Sequence, residues 1–460
     1  MSETLLSVGI DVGTSTTQLI FSRLHLRNRA NAFSVPDVGI EKKEIIYRSN
    51  IHFTPLTGAD RIDAPALRAI VDAEYKAAGI KKEDIQTGAV IITGETARKE
   101  NAEVAARELS GYAGDFVVAT AGPDLESELA ARGAGAEQWA REHGKAVIHI
   151  DIGGGTSNFA VFSQGKLLDT GCLNVGGRLL RVSPEGIVLW RSPVLNELYK
   201  LSIGDTASVS ELNELAQTLT HALEEAVGKR PPSDLSERLT TNRLPKLPID
   251  SPVISFSGGV GALLEEADKL PPLAYGDIGV LLARSIRASR LTEGNYRVCP
   301  DAIRATVIGA GCHATTVSGS TVYYQNISFP LRQLPAACLT QQESASDPKT
   351  LARAITRQRE TVGSPAAICL DLPEAPDFDA ICRLADGIAM AADDDPIVTV
   401  SHADCAKALG QALVCRLGQE RSILCLDALD LRRGSYLDVG SPVSGGDALP
   451  VIIKTLIFST

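Results

Sequence analysis

No run of about 20 apolar residues occurs in this chain, so a membrane-spanning helix is not expected. Aromatic residues make up only 5% and methionines number two, so the cores must be built mainly from aliphatic side chains. The nine cysteines are odd in number and scattered, with no Cys-x-x-Cys pair or Cys/His cluster of zinc spacing. They read as reduced thiols. Positive charge is also short: the formal net charge is −11, which disfavours a nucleic-acid partner held on a broad basic surface. One local cluster, Arg284, Arg287 and Arg290, has the spacing of a solvated helix face. The N-terminus has no basic segment followed by an apolar leader, so a cytoplasmic protein is expected.

What is present is enough apolar material for several cores, 44% over 460 residues, in an α/β texture. Leu5 to Ile10 is apolar and ends in Asp11, and a polar turn then leads into the apolar segment Gln18 to Phe21. The same order returns later: Ala146 to Ile150, then Asp151, a glycine turn, and Asn158 to Phe162. The repeat predicts two related lobes, residues 1–140 and 141–314, each opening on a strand–turn–strand unit. Glu211 to Val227 carries a leucine stripe of helical period, and the proline-rich stretch Arg230 to Pro252 reads as an irregular connector. Strand Val253 to Phe256 leads into Ser257-Gly-Gly-Val-Gly261 and a helix. From about Thr315 strands and helices alternate again, which predicts a separate α/β module over 315–460.

A polyphosphate needs backbone N–H groups that can approach it closely, which favours glycine. Gly13, and Gly153, Gly154 and Gly155, supply such turns on two hairpins, and Thr14, Ser15, Thr16 and Thr156 add hydroxyl donors. Asp11 and Asp151, at the ends of the preceding strands, cannot bind phosphate directly, but they can orient Mg²⁺ water ligands or an attacking water. They are the candidate catalytic and metal-site pair. Gly258, Gly259 and Gly261 form a third glycine loop. A Rossmann reading of that loop fails, because Gly259 to Leu264 lacks the last small residue of the fingerprint.

Asp11-Val-Gly-Thr, Asp151-Ile-Gly-Gly-Gly-Thr and Ser257-Gly-Gly-Val-Gly resemble the two phosphate loops and the adenosine loop of the actin, Hsp70 and sugar-kinase superfamily. The resemblance implies an actin-like ATPase fold: two ribonuclease-H-like lobes closing on Mg-ATP, with the base and ribose against Gly258, Gly259 and Gly261. Ile308-Gly-Ala-Gly311 resembles the helix by which such chains cross back at the hinge. In the Hsp70 branch a Glu adjoins the proline before the second lobe, whereas here the stretch reads Ala121-Gly-Pro-Asp124. Asp124, Glu95 and Glu126 are the candidates for that acidic role, Asp124 being carried as a third metal-site residue.

Longer segments, Val8 to Gln18, Ile92 to Asn101, Ala119 to Glu126 and Ala448 to Phe458, resemble the reactivating factors of adenosylcobalamin-dependent ethanolamine ammonia-lyase. That family implies an ATP-hydrolysing chaperone whose client is the lyase and which promotes release of damaged cobalamin, with the third module or a lobe edge as client contact. It also implies a setting beside an ethanolamine bacterial microcompartment. Within the superfamily, a small-molecule kinase or a self-associating actin-like scaffold would use the same cleft. The histidines occur singly and no Asp-x-His-x-x-Gly cobalamin motif is present, so each histidine reads as a packed or surface residue.

Overall fold

The structure is a computed structural model that describes residues 3–13, 16–28, 38–57, 61–93, 101, 105, 109, 112, 122–196, 198–247, 252–318, 321–429 and 431–455. The first sheet begins with the meander β1 (Glu3–Val12), β2 (Thr16–Asn28) and β3 (Val38–Arg48), with β4 (His52–Phe53) on the far end of β2. Helix α1 (Ala64–Ala78) starts at an N-cap Asp63 that accepts from the Ala66 N–H, and it leads to β5 (Thr87–Ile92). β5 returns parallel to β1, giving the order β3-β2-β1-β5. Later in the chain come the helices α2 (Pro123–Gly133), with proline in its first turn, and α3 (Ala136–His143).

The second sheet repeats this plan. β6 (Val147–Ile152), β7 (Ser157–Ser163) and β8 (Lys166–Leu173) form an antiparallel meander. A small ribbon, β9 (Leu180–Val182) and β10 (Val188–Arg191), precedes α4 (Val209–Ala226), which begins with a reciprocal Ser208–Glu211 capping box. β11 (Val253–Ser257) then pairs parallel with β6. After α5 (Gly258–Leu263) and α6 (Gly279–Arg287), β12 (Tyr296–Val298) pairs parallel with β11. The order β12-β11-β6-β7-β8 is the complete ribonuclease-H arrangement, and the described part of the first sheet follows it strand for strand. The connector at 230–252 is less irregular than its prolines suggest. A six-residue helix, Asp234–Leu239, forms where the Glu225 carboxylate accepts from the Ser233 and Ser236 N–H groups.

The lobes exchange helices. α2, which follows the first sheet, packs on β6, β7 and β8, whereas α7 (Ala305–His313), which follows the second, packs on β1, β2 and β5. Where α2 and α7 cross, their backbones touch: a Cβ on Gly309 would lie 2.1 Å from the Leu129 carbonyl oxygen, and one on Gly133 would lie 2.0 Å from that of Ala305. Only glycine permits this approach.

The remaining strands are β13 (Thr316–Val317), β14 (Val322–Gln325), β15 (Leu331–Cys338), β16 (Ala367–Leu370), β17 (Ile397–Ser401), β18 (Ile423–Leu426), β19 (Ser435–Val439) and β20 (Pro450–Thr455). They form an eight-stranded sheet of order β13-β20-β19-β15-β16-β17-β18-β14, with α8 (Pro348–Val362), α9 (Phe378–Met390) and α10 (Ala406–Leu417) between its central strands. This unit is not detached. Ile452 of β20 packs among Ala89, Ile91, Leu129 and Ala310, while Val443 and Ala448 pack with Leu5, Leu24 and Leu26.

Candidate functional site

Both hairpins close in the same way. The Gly13 N–H donates to the Thr16 carbonyl at 2.9 Å, and the Gly153 N–H donates to the Thr156 carbonyl at 2.9 Å. Register places Asp11 opposite Gln18 and Asp151 opposite Asn158, so the two aspartates hold equivalent positions at the ends of β1 and β6. Thr14 and Ser15 lie outside the described residues, as does Glu95.

Each aspartate meets a hydroxyl from the neighbouring parallel strand. Thr93 donates to Asp11 at 3.1 Å, and Ser257 donates to Asp151. Thr306, in the first turn of α7, lies near enough to favour the ionised Asp151. Burial pushes the Asp11 carboxyl up to about 7, against the Thr93 hydrogen bond, and the charge of Asp151 adds to the rise. Burial likewise raises Asp151 to about 6, opposed by Ser257 and Thr306. The charge of Asp151, on the second lobe, thus disfavours ionisation of Asp11 on the first. Such a pair is relieved by a proton or by a cation.

The donor set fits a hard cation surrounded by water. Beside the aspartates, the buried side-chain oxygens Gln18 Oε1 and Asn158 Oδ1 have no hydrogen-bond partner, although each amide nitrogen is engaged, Gln18 with the Ile303 carbonyl at 3.1 Å and Asn158 with Glu126 at 2.9 Å. Oxygen acceptors of this kind suit Mg²⁺ and its water ligands. No group of three or more His, Cys, Asp or Glu side chains that could hold a metal ion occurs among the described residues.

The third acid separates from this group. Asp124 accepts from Thr170 and from Asn242 at 3.1 Å, and it pairs with Arg243 at 3.1 Å, so it clamps the start of α2 to β8 and the connector. Glu126, two residues on, is the carboxylate that reaches the cross-strand partner of Asp151. A helix turns about 100° per residue, so these neighbours point to different surroundings.

In the third loop, Gly258 (φ +83°) lies against the end of β6, where a Cβ would sit 2.4 Å from the Ile152 oxygen. Gly259 is exposed with open space at its Cβ, whereas Gly261 is buried against Phe256. A fourth turn went unrecognised in the sequence. The Gly177 N–H donates to the Gly153 carbonyl at 3.1 Å and the Arg178 N–H to the Gly154 carbonyl at 2.7 Å. Gly176 lies so close that a Cβ would sit 2.3 Å from the Gly154 oxygen. Its Gly-Gly pair was the available signal. Thr54 similarly braces the first hairpin by donating to the Gly13 carbonyl at 2.7 Å.

The Arg284, Arg287 and Arg290 cluster is not a free helix face. Arg284 donates to the Ala267 and Leu270 carbonyls, Arg287 pairs with Asp268, and Arg290 donates to the Lys229 carbonyl. A concavity of about 650 Å³ between α4 and α6 shares no residue with the hairpins. All nine cysteines are free thiols, and no helix among the described residues is long and apolar enough to cross a membrane.

Two ribonuclease-H-like lobes with exchanged helices, and an aspartate at the same turn of each, define an actin-like ATPase fold. Within that class, the chain belongs to the ethanolamine utilisation protein EutA family, whose model matches residues 3–459. It is 38% identical over 467 residues to the ethanolamine ammonia-lyase reactivase EutA of Salmonella typhimurium, an alignment covering 99% of this chain and 98% of that one. The Escherichia coli reactivase EutA is 37% identical over 476 residues, with the same coverage. Among solved structures, a Ppx/GppA family member of Aquifex aeolicus aligns with 67% of this chain and 97% of its own, at 13% identity and a TM-score of 0.40.

Proposed function

We propose that this chain is an ATP-dependent reactivating chaperone of adenosylcobalamin-dependent ethanolamine ammonia-lyase, acting in the cytoplasm beside an ethanolamine bacterial microcompartment. The observation that carries the nucleotide reading is the pair of aspartates, Asp151 buried and Asp11 partly buried, on matching glycine hairpins. Membership of a family whose relatives are named reactivases supports the client.

In this reading the turns at Gly13 and Gly153 to Gly155, with Thr16 and Thr156, direct N–H and hydroxyl groups at the phosphates. Gly258 and Gly259 accommodate the adenosine side, and the buried Gly261 lets their loop pack on Phe256. Mg²⁺, held through water by Asp11 and Asp151, would neutralise phosphate charge. Asp151, gripped by Ser257 with Thr306 nearby, orients the attacking water, and Glu126 fixes Asn158 beside it. ATP and ADP engage the two lobes differently, and only that difference can change the affinity for the client. The α2–α7 crossing is where the lobes pivot, and release of damaged cobalamin from the lyase is the output. Self-association of the chain is compatible with this scheme.

The test begins with lyase inactivated by turnover or by a cobalamin lacking the adenosyl group. Activity should return only when this protein, Mg-ATP and fresh adenosylcobalamin are all added. No recovery with folded, ATP-binding protein would remove the client assignment, whereas folded protein that binds no ATP would remove the nucleotide site.

A further inference from the structure

We infer that His149 is a positioning residue for ATP hydrolysis, holding Ser257 in the one hydrogen-bond direction that grips the Asp151 carboxylate; this rests on the nucleotide reading above. The residues come together by register. His149 pairs with Ser255, and Asp151 pairs with Ser257, across the parallel β6–β11 ladder. Strand alternation puts each i, i+2 pair on one face.

The result is a continuous chain in the core. Cys299 Sγ lies 3.2 Å from Ser255 Oγ, which is 3.1 Å from His149 Nδ1, while His149 Nε2 is 2.8 Å from Ser257 Oγ, which donates to Asp151. Its direction is fixed by counting protons. Ser257 has one hydroxyl proton and gives it to Asp151, so it accepts from His149 Nε2–H. At the other edge of the ring, Nδ1 faces the Ser255 hydroxyl, which in turn meets the Cys299 thiol. The part of the chain that reaches Asp151 therefore runs from His149 through Ser257.

A packing role alone would not need these groups, since the neighbours Val147, Ile148, Ile150 and Ile152 are apolar and a buried polar chain is tolerated only when satisfied. The described residues of the first lobe hold no counterpart. Gly9 occupies the equivalent place on β1, where a Cβ would sit 2.5 Å from the Val307 oxygen of α7. There Thr93 donates to Asp11 directly. The device therefore belongs to the aspartate assigned to orient water.

The experiment measures ATP affinity and single-site turnover for wild type, His149→Leu, His149→Gln, Ser257→Ala and the double variant His149→Leu/Ser257→Ala. His149→Leu keeps the packing and should lower kcat about tenfold while leaving the Kd for ATP within about twofold, the scale of losing one hydrogen bond that supports a charged group. Glutamine can donate to Ser257 and accept from Ser255, so His149→Gln should recover at least about half of the loss. If His149 acts through Ser257, the double variant turns over no more slowly than Ser257→Ala alone. Additive losses, full turnover in His149→Leu, or a fall confined to ATP affinity and thermal stability each overturn the inference. Should the leucine variant not fold, the same cycle is read with His149→Gln, whose effect must vanish in the Ser257→Ala background. Wild-type protein that binds no ATP overturns the nucleotide reading as well, whereas active wild type with an indifferent His149 overturns this inference alone.

Discussion

Replacing Asp11 by Asn should make the nucleotide-free protein more stable and at the same time disable it. Burial and the charge of Asp151 lift the Asp11 carboxyl from 3.8 to about 7, so the folded state binds this proton more tightly than the unfolded chain does. The sign follows. The stability supplied by the protonated carboxyl is fully present below pH 3.8, is lost progressively as pH rises toward 7, and stays lost above. Near pH 8 the ionised, metal-free Asp11 costs on the order of 4 kcal/mol, from about three pKa units at roughly 1.4 kcal/mol each. Asparagine removes the charge and retains an oxygen that can accept from Thr93. Urea or thermal denaturation in EDTA, from pH 4 to pH 8.5, is the assay. The variant should nearly match wild type at pH 4, pull ahead through pH 7 and hold a constant lead above it. With Mg-ATP the gap should narrow, because the wild type gains more from ligand. A gap independent of pH, or an asparagine variant less stable at pH 8, would refute the idea that two uncompensated carboxylates share the cleft.

The acid at the start of α2 can be assigned by contrast: Glu126→Gln should lower ATP turnover about tenfold, by disturbing Asn158 beside Asp151, whereas Asp124→Asn should leave turnover within about twofold because its Arg243 pair is half-exposed. Steady-state hydrolysis of both variants checks this, and the reverse order would return the role to Asp124. Gly309→Val should cost about 3 kcal/mol or more, since its Cβ meets the Leu129 carbonyl at 2.1 Å and the helices must separate; a denaturation midpoint equal to wild type would contradict the crossing. Truncation after Thr315 should destabilise the first lobe, because it uncovers Ala89 and Ile91 beneath Ile452, and increased binding of a hydrophobic dye is the readout.

Legibility in the sequence tracked locality. The two hairpins could be read because their determinants, an aspartate ending an apolar strand and a glycine turn after it, lie within a few residues of one another. The strands Ala367–Leu370 and Ile423–Leu426 likewise announced themselves as short apolar runs. The helix exchange depends on glycines more than 170 residues apart in sequence, Gly133 and Gly309, meeting backbone to backbone. No window of the sequence contains that contact. The choice between Asp124 and Glu126 also escaped, since it turns on helix phase and on where β8 and Asn158 lie. The return of β20 to the first lobe joins Ile452 to Ala89 and explains why a change of texture near Thr315 overstated the independence of the last unit.

The repeat that made the site legible is also where its symmetry breaks. Topology gives the two lobes equivalent aspartates, yet position 9 must be glycine because α7 presses on β1, while position 149 carries histidine. One geometric fact, that α7 crosses onto the first sheet, therefore shapes both ends of the cleft. It excludes a side chain under Asp11 and brings Thr306 to Asp151. Movement of α7 away from the second lobe would then take Thr306 from Asp151 while Thr93, on the first lobe, keeps its hydrogen bond to Asp11. That asymmetry is a physical route by which a partner pulling the lobes apart would slow hydrolysis more than it weakens nucleotide binding.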